Sequence, residues 1–197
     1  ADKETVRADW NIFTAAVEDE FHVTDTTMEF HLESTEATPV LPKDVSRRFI
    51  LAIQGIDNGV FAMCQDEAIS WLVETSSNVA SIITTDNEIT VVASHRSSVM
   101  SNLDNEANTV KAVFELAGAD ITISDGYPAW KMNPDSKLTK VAVESYKKLF
   151  GKEPIVKGIH AGLECGLFSE RYPNLDMVSF GPTLRGVHTP DERLLIP

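Results

Sequence analysis

NVASIITTDNEITVVASHRSS, residues 78 to 98, is the stretch on which the fold turns. From Val60 to Val99 the density of β-branched residues rises, and Asp86 and Asn87 both tolerate positive φ, so the spacing predicts a hairpin turning at that pair. A hairpin must cover one face, and the sequence on either side supplies covers. Downstream, SNLDNEANTVKAVFELAG (101–118) spaces Leu103, Ala107, Val110, Phe114 and Ala117 on one side of a helix, with Ser101 or Asn102 as its cap and Gly118 as its stop. Upstream, LPKDVSRRFILAIQGIDNG (41–59) places Val45, Phe49, Ile53 and Ile56 on one face after a proline and ends in Asn-Gly.

Further toward the N-terminus, ETVRADWNIFTAAVED (4–19) sets Val6, Trp10, Phe13 and Val17 at amphipathic spacing and predicts a first helix. TMEFHLE (27–33) alternates Met28, Phe30 and Leu32 with Glu29, His31 and Glu33, the period of a half-buried strand. With a further strand expected near residue 124, this order implies an α+β layer, an antiparallel sheet with helices on one side. After the aromatic turn GYPAWKMNP the pattern changes. A helix is expected at 136–150, with Lys147 and Lys148 near the negative end of its dipole. Strand PIVKGIH (154–160), a short helix GLFSERY (166–172) and strand DMVSFG (176–181) follow, an α/β alternation. The break near Gly126 is the natural boundary.

Seventeen Lys and Arg against thirty Asp and Glu give a net charge of −13, which repels phosphate backbones and anionic membrane surfaces. Nucleic acid and membrane are therefore not expected as partners. At 43% hydrophobic residues the chain has the apolar content of a packed globular protein, and its apolar runs fall far short of the roughly 20 residues that span a bilayer. Cys64 and Cys165 stand far apart without a CxxC pair, so neither a disulfide framework nor a zinc knuckle is indicated, and a reducing cytosol fits. The start at Ala1 and the apolar ending RLLIP read as a piece of a longer protein.

Three places can carry chemistry. His188, in the turn-rich GPTLRGVHTPDE (181–192), is either a metal ligand oriented by Asp191 or Glu192 through its other ring nitrogen, or a turn-bonded loop histidine. GIHAGLECG (158–166) sets His160, Glu164 and Cys165 among glycines that let a ligand approach the backbone; the alternative is a tight crossover with His160 and Cys165 buried. The loop lacks the Gly-Lys-Ser/Thr of a phosphate loop. Arg96, in SHRSS, is suited to a substrate carboxylate or to an internal salt bridge. Tyr127, Pro128 and Trp130 read as a hydrophobic hinge, and the acidic residues of helix 101–117 as a solvated face.

The long stretch GIHAGLECGLFSERYPNLDMVSFGPTLRGVHTPDE (158–192), with DGYPAWKMNPDS (125–136), VETSSNVASI (73–82) and SHRSSV (94–99), resembles the C-terminal part of the aminoacyl-histidine dipeptidases, cytoplasmic zinc metallopeptidases. The resemblance spans essentially the whole chain. It implies a two-domain parent enzyme, a catalytic α/β domain with a dinuclear zinc centre and an inserted lid that contributes to a homodimer. Residues 1–118 resemble the later half of the lid, and 119–197 the closing part of the catalytic domain. By the same resemblance His188 matches a zinc ligand, and Arg96 and Gly162 match positions that hold the C-terminal carboxylate of a dipeptide. The general base and the remaining ligands of the family lie in an N-terminal His-x-Asp region that has no counterpart here. The isolated chain is therefore expected to be inactive, and the alternative reading is a non-catalytic lid, dimerisation and ligand-binding module. His95 and Met100 depart from the apolar and acidic residues the family leads one to expect.

Overall fold

The computed structural model describes residues 2–124 and 126–196; Asp125, in the DGYPAW motif, lies outside them. The chain divides into two compact units, one ending at Pro42 and one beginning at Lys43.

The first unit is built on helix α1, Lys3–Phe21. Asp2 caps it, accepting hydrogen bonds from the amides of Glu4 and Thr5 at 3.0 and 2.9 Å, so the first-turn donors are satisfied without solvent. Residues 27–33 form no strand. The alternation survives only as half-burial of Met28 and Phe30 beside exposed Glu29 and His31. No strand pairs with this segment among the described residues, and Phe30 instead packs edge-on against Trp10, ring centroids 6.4 Å apart.

The second unit contains the predicted hairpin. Strands β1 (Gly59–Met63), β2 (Val73–Thr84) and β3 (Ile89–Ser97) form an antiparallel sheet in that order. The turn falls at Asp86-Asn87, closed by a 2.9 Å bond from the Thr85 amide to the Glu88 carbonyl. Along β3, Val91, Ala93 and His95 are half-buried while Val92, Ser94 and Arg96 are exposed. A bulge between Val79 and Ser81 shifts the register, so that Ser76 pairs with Arg96 and Ser77 with His95.

Helix α3 (Met100–Leu116) packs on the inner face, and helix α2 (Lys43–Gly55) packs on α3. Ala52, Ile56, Val110 and Phe114 are buried together, with Val79, Val91 and Ala93 of the sheet packed on them. This is the expected α+β layer. The expected cap of α3 is not formed: Val99 stands at the N-cap, and the Asn102 amide is committed to Glu74 Oε1 at 2.6 Å. The other end follows the sequence. Gly118, at φ 80°, donates to the Glu115 carbonyl and Ala119 donates to that of Phe114, a Schellman closure. Arg48 of α2 donates to the remaining Ala117 carbonyl at 2.6 Å.

Helix α4, Lys137–Phe150, is capped by Ser136 and stopped by left-handed Gly151, with Lys147 and Lys148 in its last turn. Helix α5 covers Glu164–Arg171. The α/β alternation expected around them is corrected: residues 154–160 and 176–181 form no strands, and neither does the strand expected near residue 124 at the end of the first segment. A strand needs a neighbour to satisfy its amides and carbonyls, and the described residues provide none for these segments. Ile155 and Phe180 are accordingly 82% and 87% exposed. Among the described residues of this part, β4 (Leu184–Arg185) pairs with β5 (Arg193–Leu194), two residues each.

Candidate functional site

The outer face of the hairpin carries Ser76 and Arg96 side by side as cross-strand partners. Onto this pair folds the loop GIHAGLECG. His160 sits with Nε2 2.6 Å from Ser76 Oγ, and its backbone carbonyl accepts from Arg96 Nη1 at 3.5 Å. Residues 64 and more apart in sequence thus meet on one small surface. Burial holds the His160 pKa below its usual 6.5, the positive charge of Arg96 lowers it further, and a hydrogen bond with the Val73 backbone partly offsets both. The balance of these influences favours the neutral imidazole. Among the described residues Arg96 pairs with no carboxylate.

The glycines of the loop are needed by its neighbours. A Cβ on Gly162 would stand 3.2 Å from Cβ and Cγ of Tyr127. One on Gly158 would stand 2.7 Å from Leu72 Cδ2, and one on Gly166 would collide with the Pro128 carbonyl oxygen. The aromatic turn read as a hinge is in fact seated on this loop, Tyr127 over Gly162 and Pro128 over Gly166. Cys165 is half-buried and Glu164 exposed.

His188 lies between β4 and β5, exposed and at φ 63°, a left-handed conformation uncommon outside glycine but one in which histidine is enriched. The loop imposes it. Thr189 donates to the Gly186 carbonyl through both its amide and Oγ1, at 3.1 and 2.7 Å, and the Glu192 amide donates to the Thr189 carbonyl at 3.1 Å. Glu192 Oε2 accepts from the His188 backbone amide at 2.9 Å. Among the described residues Glu192 engages the His188 backbone, and no hydrogen bond from Asp191 or Glu192 to its ring is present. Among the described residues no group of three His, Cys, Asp or Glu side chains is placed to hold a metal ion. One histidine does not make a metal centre, since catalytic zinc sites use about three protein donors. No hydrogen bond or ion pair joins His188 to the Arg96–His160 pair among the described residues.

A polar cluster on the inner face was not legible in advance. Ser77 Oγ lies 3.0 Å from His95 Nδ1, and Glu106 Oε1 of α3 lies 3.8 Å from the same nitrogen. Glu106 is only 3% exposed, so the reading of the acidic residues of α3 as a solvated face fails at this position. Desolvation outweighs the attraction of Glu106 and holds the His95 pKa below its usual value.

The chain matches the family model described as Peptidase family M20/M25/M40 over residues 11–197. It is 38% identical over 148 residues to the cytosol non-specific dipeptidase of Escherichia coli (strain K12), covering 75% of this chain and 30% of that protein. The crystal structure of aminoacylhistidine dipeptidase from Vibrio alginolyticus superposes with a TM-score of 0.79 at 38% identity, over 97% of this chain and 39% of that one. The chain thus spans about a third of the length of each relative, and both relatives are dipeptidases by name. On the extent of the family match, this chain belongs to peptidase family M20/M25/M40.

Proposed function

We propose that the chain is the lid and the closing catalytic segment of a metallo-dipeptidase that hydrolyses Xaa-His dipeptides, with the lid portion ending near residue 118. The observation that carries this reading is the meeting of Arg96 with the GIHAGLECG loop. A guanidinium that no carboxylate among the described residues pairs with, set beside a loop whose glycines leave no room for side chains, is suited to a bidentate carboxylate. In a dipeptide that carboxylate marks the end of the substrate; a longer peptide places no charge there, so the same contact measures length. The dipeptidase relatives support the reading.

His188 is proposed as one ligand of a zinc centre whose other donors lie outside these residues. That no group of three metal-ligating side chains comes together among the described residues supports the further reading that the 197-residue piece is inactive by itself, a lid and ligand-binding module. Exposed Ile155 and Phe180 on extended, unpaired backbone fit strands of a catalytic sheet whose neighbours come from the rest of the enzyme. The lid is proposed to support a homodimer, and the parent to work in the cytoplasm. No helix of the described residues is long and apolar enough to cross a membrane.

The test is hydrolysis of an Xaa-His dipeptide and of its C-terminal amide by the full-length protein, with Arg96→Gln beside the wild type. The dipeptide is expected to be cleaved, and the amide and the variant to show strongly raised KM. Equal turnover of acid and amide would overturn the role given to Arg96.

A further inference from the structure

We propose that His160 is a positioning residue for Arg96, a latch that holds the Gly162 loop against the hairpin and sets the guanidinium for a substrate carboxylate. The inference rests on the reading of Arg96 as the carboxylate-binding group. Its ground is that one residue engages both members of a cross-strand pair. The imidazole takes the Ser76 hydroxyl at 2.6 Å, while the backbone carbonyl takes Arg96 Nη1 at 3.5 Å. Because Ser76 and Arg96 are directly opposed on β2 and β3, fixing His160 on the first fixes its carbonyl over the second.

The consequence for Arg96 is conformational. An arginine side chain carries roughly 2 kcal/mol of rotamer freedom that must be surrendered when it binds. Anchoring one Nη1 hydrogen on the His160 carbonyl restrains the side chain before substrate arrives, and the other N–H groups of the fork remain for a carboxylate. The imidazole must be neutral for this to hold, because a protonated ring would place a second positive charge beside the guanidinium. Its half-burial, the Arg96 charge and the Val73 backbone bond are the influences that face it, and no carboxylate among the described residues counters the arginine. The latch joins the hairpin, in the proposed lid, to the loop, in the proposed catalytic segment, so its strength bears on how the two are held.

Two measurements test this. In the 197-residue chain, NMR titration of the His160 ring is expected to show a midpoint below 6.5 that rises in Arg96→Gln, and the ring shifts are expected to change in Ser76→Ala. Insensitivity to both substitutions would overturn the latch. In the full-length protein, His160→Ala is expected to raise KM for a dipeptide about tenfold, the loss of roughly one hydrogen bond's worth of preorganisation, while kcat stays within about twofold. His160→Gln, which keeps a polar group within reach of Ser76, is expected to recover most of the loss. Because His160 acts through Arg96, the double variant with Arg96→Gln is expected to match Arg96→Gln alone. An unchanged KM in His160→Ala, or fully additive losses in the double variant, would overturn the role while leaving dipeptidase activity intact. A full-length protein that cleaves no dipeptide would instead remove the functional reading, and the positioning role with it.

Discussion

Replacing Gly118 with alanine puts two separate parts of the structure at risk, and the size of the loss follows from both. Gly118 closes α3 at φ 80°, where an L-residue costs about 1–2 kcal/mol. The new Cβ would also stand 2.8 Å from Arg48 Nη1, too close for contact. That side chain is flexible and will move, but moving it breaks the 2.6 Å bond to the Ala117 carbonyl, worth about 1 kcal/mol. Stiffening of the unfolded chain returns roughly 0.5 kcal/mol, so the net loss should be about 2 kcal/mol. Urea unfolding of the 197-residue chain, followed by helical circular dichroism, reads this directly. Gly181→Ala is the matched control, since its Cβ meets nothing within 4 Å and its φ is not in the left-handed region; it should fall within about 0.5 kcal/mol of wild type. With Arg48→Ala already present, the Gly118 substitution should cost about 1 kcal/mol less, because the guanidinium bond is no longer there to lose. A Gly118→Ala protein as stable as Gly181→Ala would refute the reasoning.

Phe114→Ala should cost about 3–5 kcal/mol in the same assay, because Phe114 is 9% exposed and belongs to the one small buried cluster between α2, α3 and the sheet. Ser136→Ala should cost about 1 kcal/mol and lower the helical signal, since Ser136 is 3% exposed and its Oγ accepts from the Thr139 amide at 3.0 Å. Stability should also depend on pH in the acidic direction. His95 and His160 both have pKa values lowered in the folded chain, chiefly by burial, so the unfolded chain binds protons first. Their contribution is full above the unfolded value of about 6.5 and is lost as pH falls through the folded values; the urea midpoint should drop between roughly pH 7.5 and pH 5. Replacing both histidines with asparagine should flatten that slope, and a slope unchanged by the replacement would contradict the assignment.

The elements that carry their own cover were legible in the sequence. Helices α1 to α3 stand where the apolar spacing put them, and α4 where the change of pattern after GYPAWKMNP put it. The hairpin turned at Asp86-Asn87 because the turn chemistry is local. The segments 27–33, 154–160 and 176–181 misled because a strand pattern records only that a residue is suited to a sheet, and not that a neighbouring strand is present. The site was half legible. Arg96 and His160 stood out by residue type and Gly162 through the family resemblance, but Ser76 did not. Counted back from the turn, Arg96 would face Ser77, and only the bulge at Ala80 slides it to Ser76 and so builds the seat for His160. Glu106 escaped for a related reason: its residue type marks it as polar, while its burial depends on how α3 folds back onto His95 of the strand just before it.

The most direct test of the account is the metal content of the full-length protein with and without His188→Ala, measured after exhaustive desalting and paired with dipeptide hydrolysis. The account predicts that the wild type retains zinc and cleaves the dipeptide, while His188→Ala keeps its fold by circular dichroism and loses both bound metal and activity. A His188→Ala protein that retains the wild-type complement of metal and full turnover would contradict it.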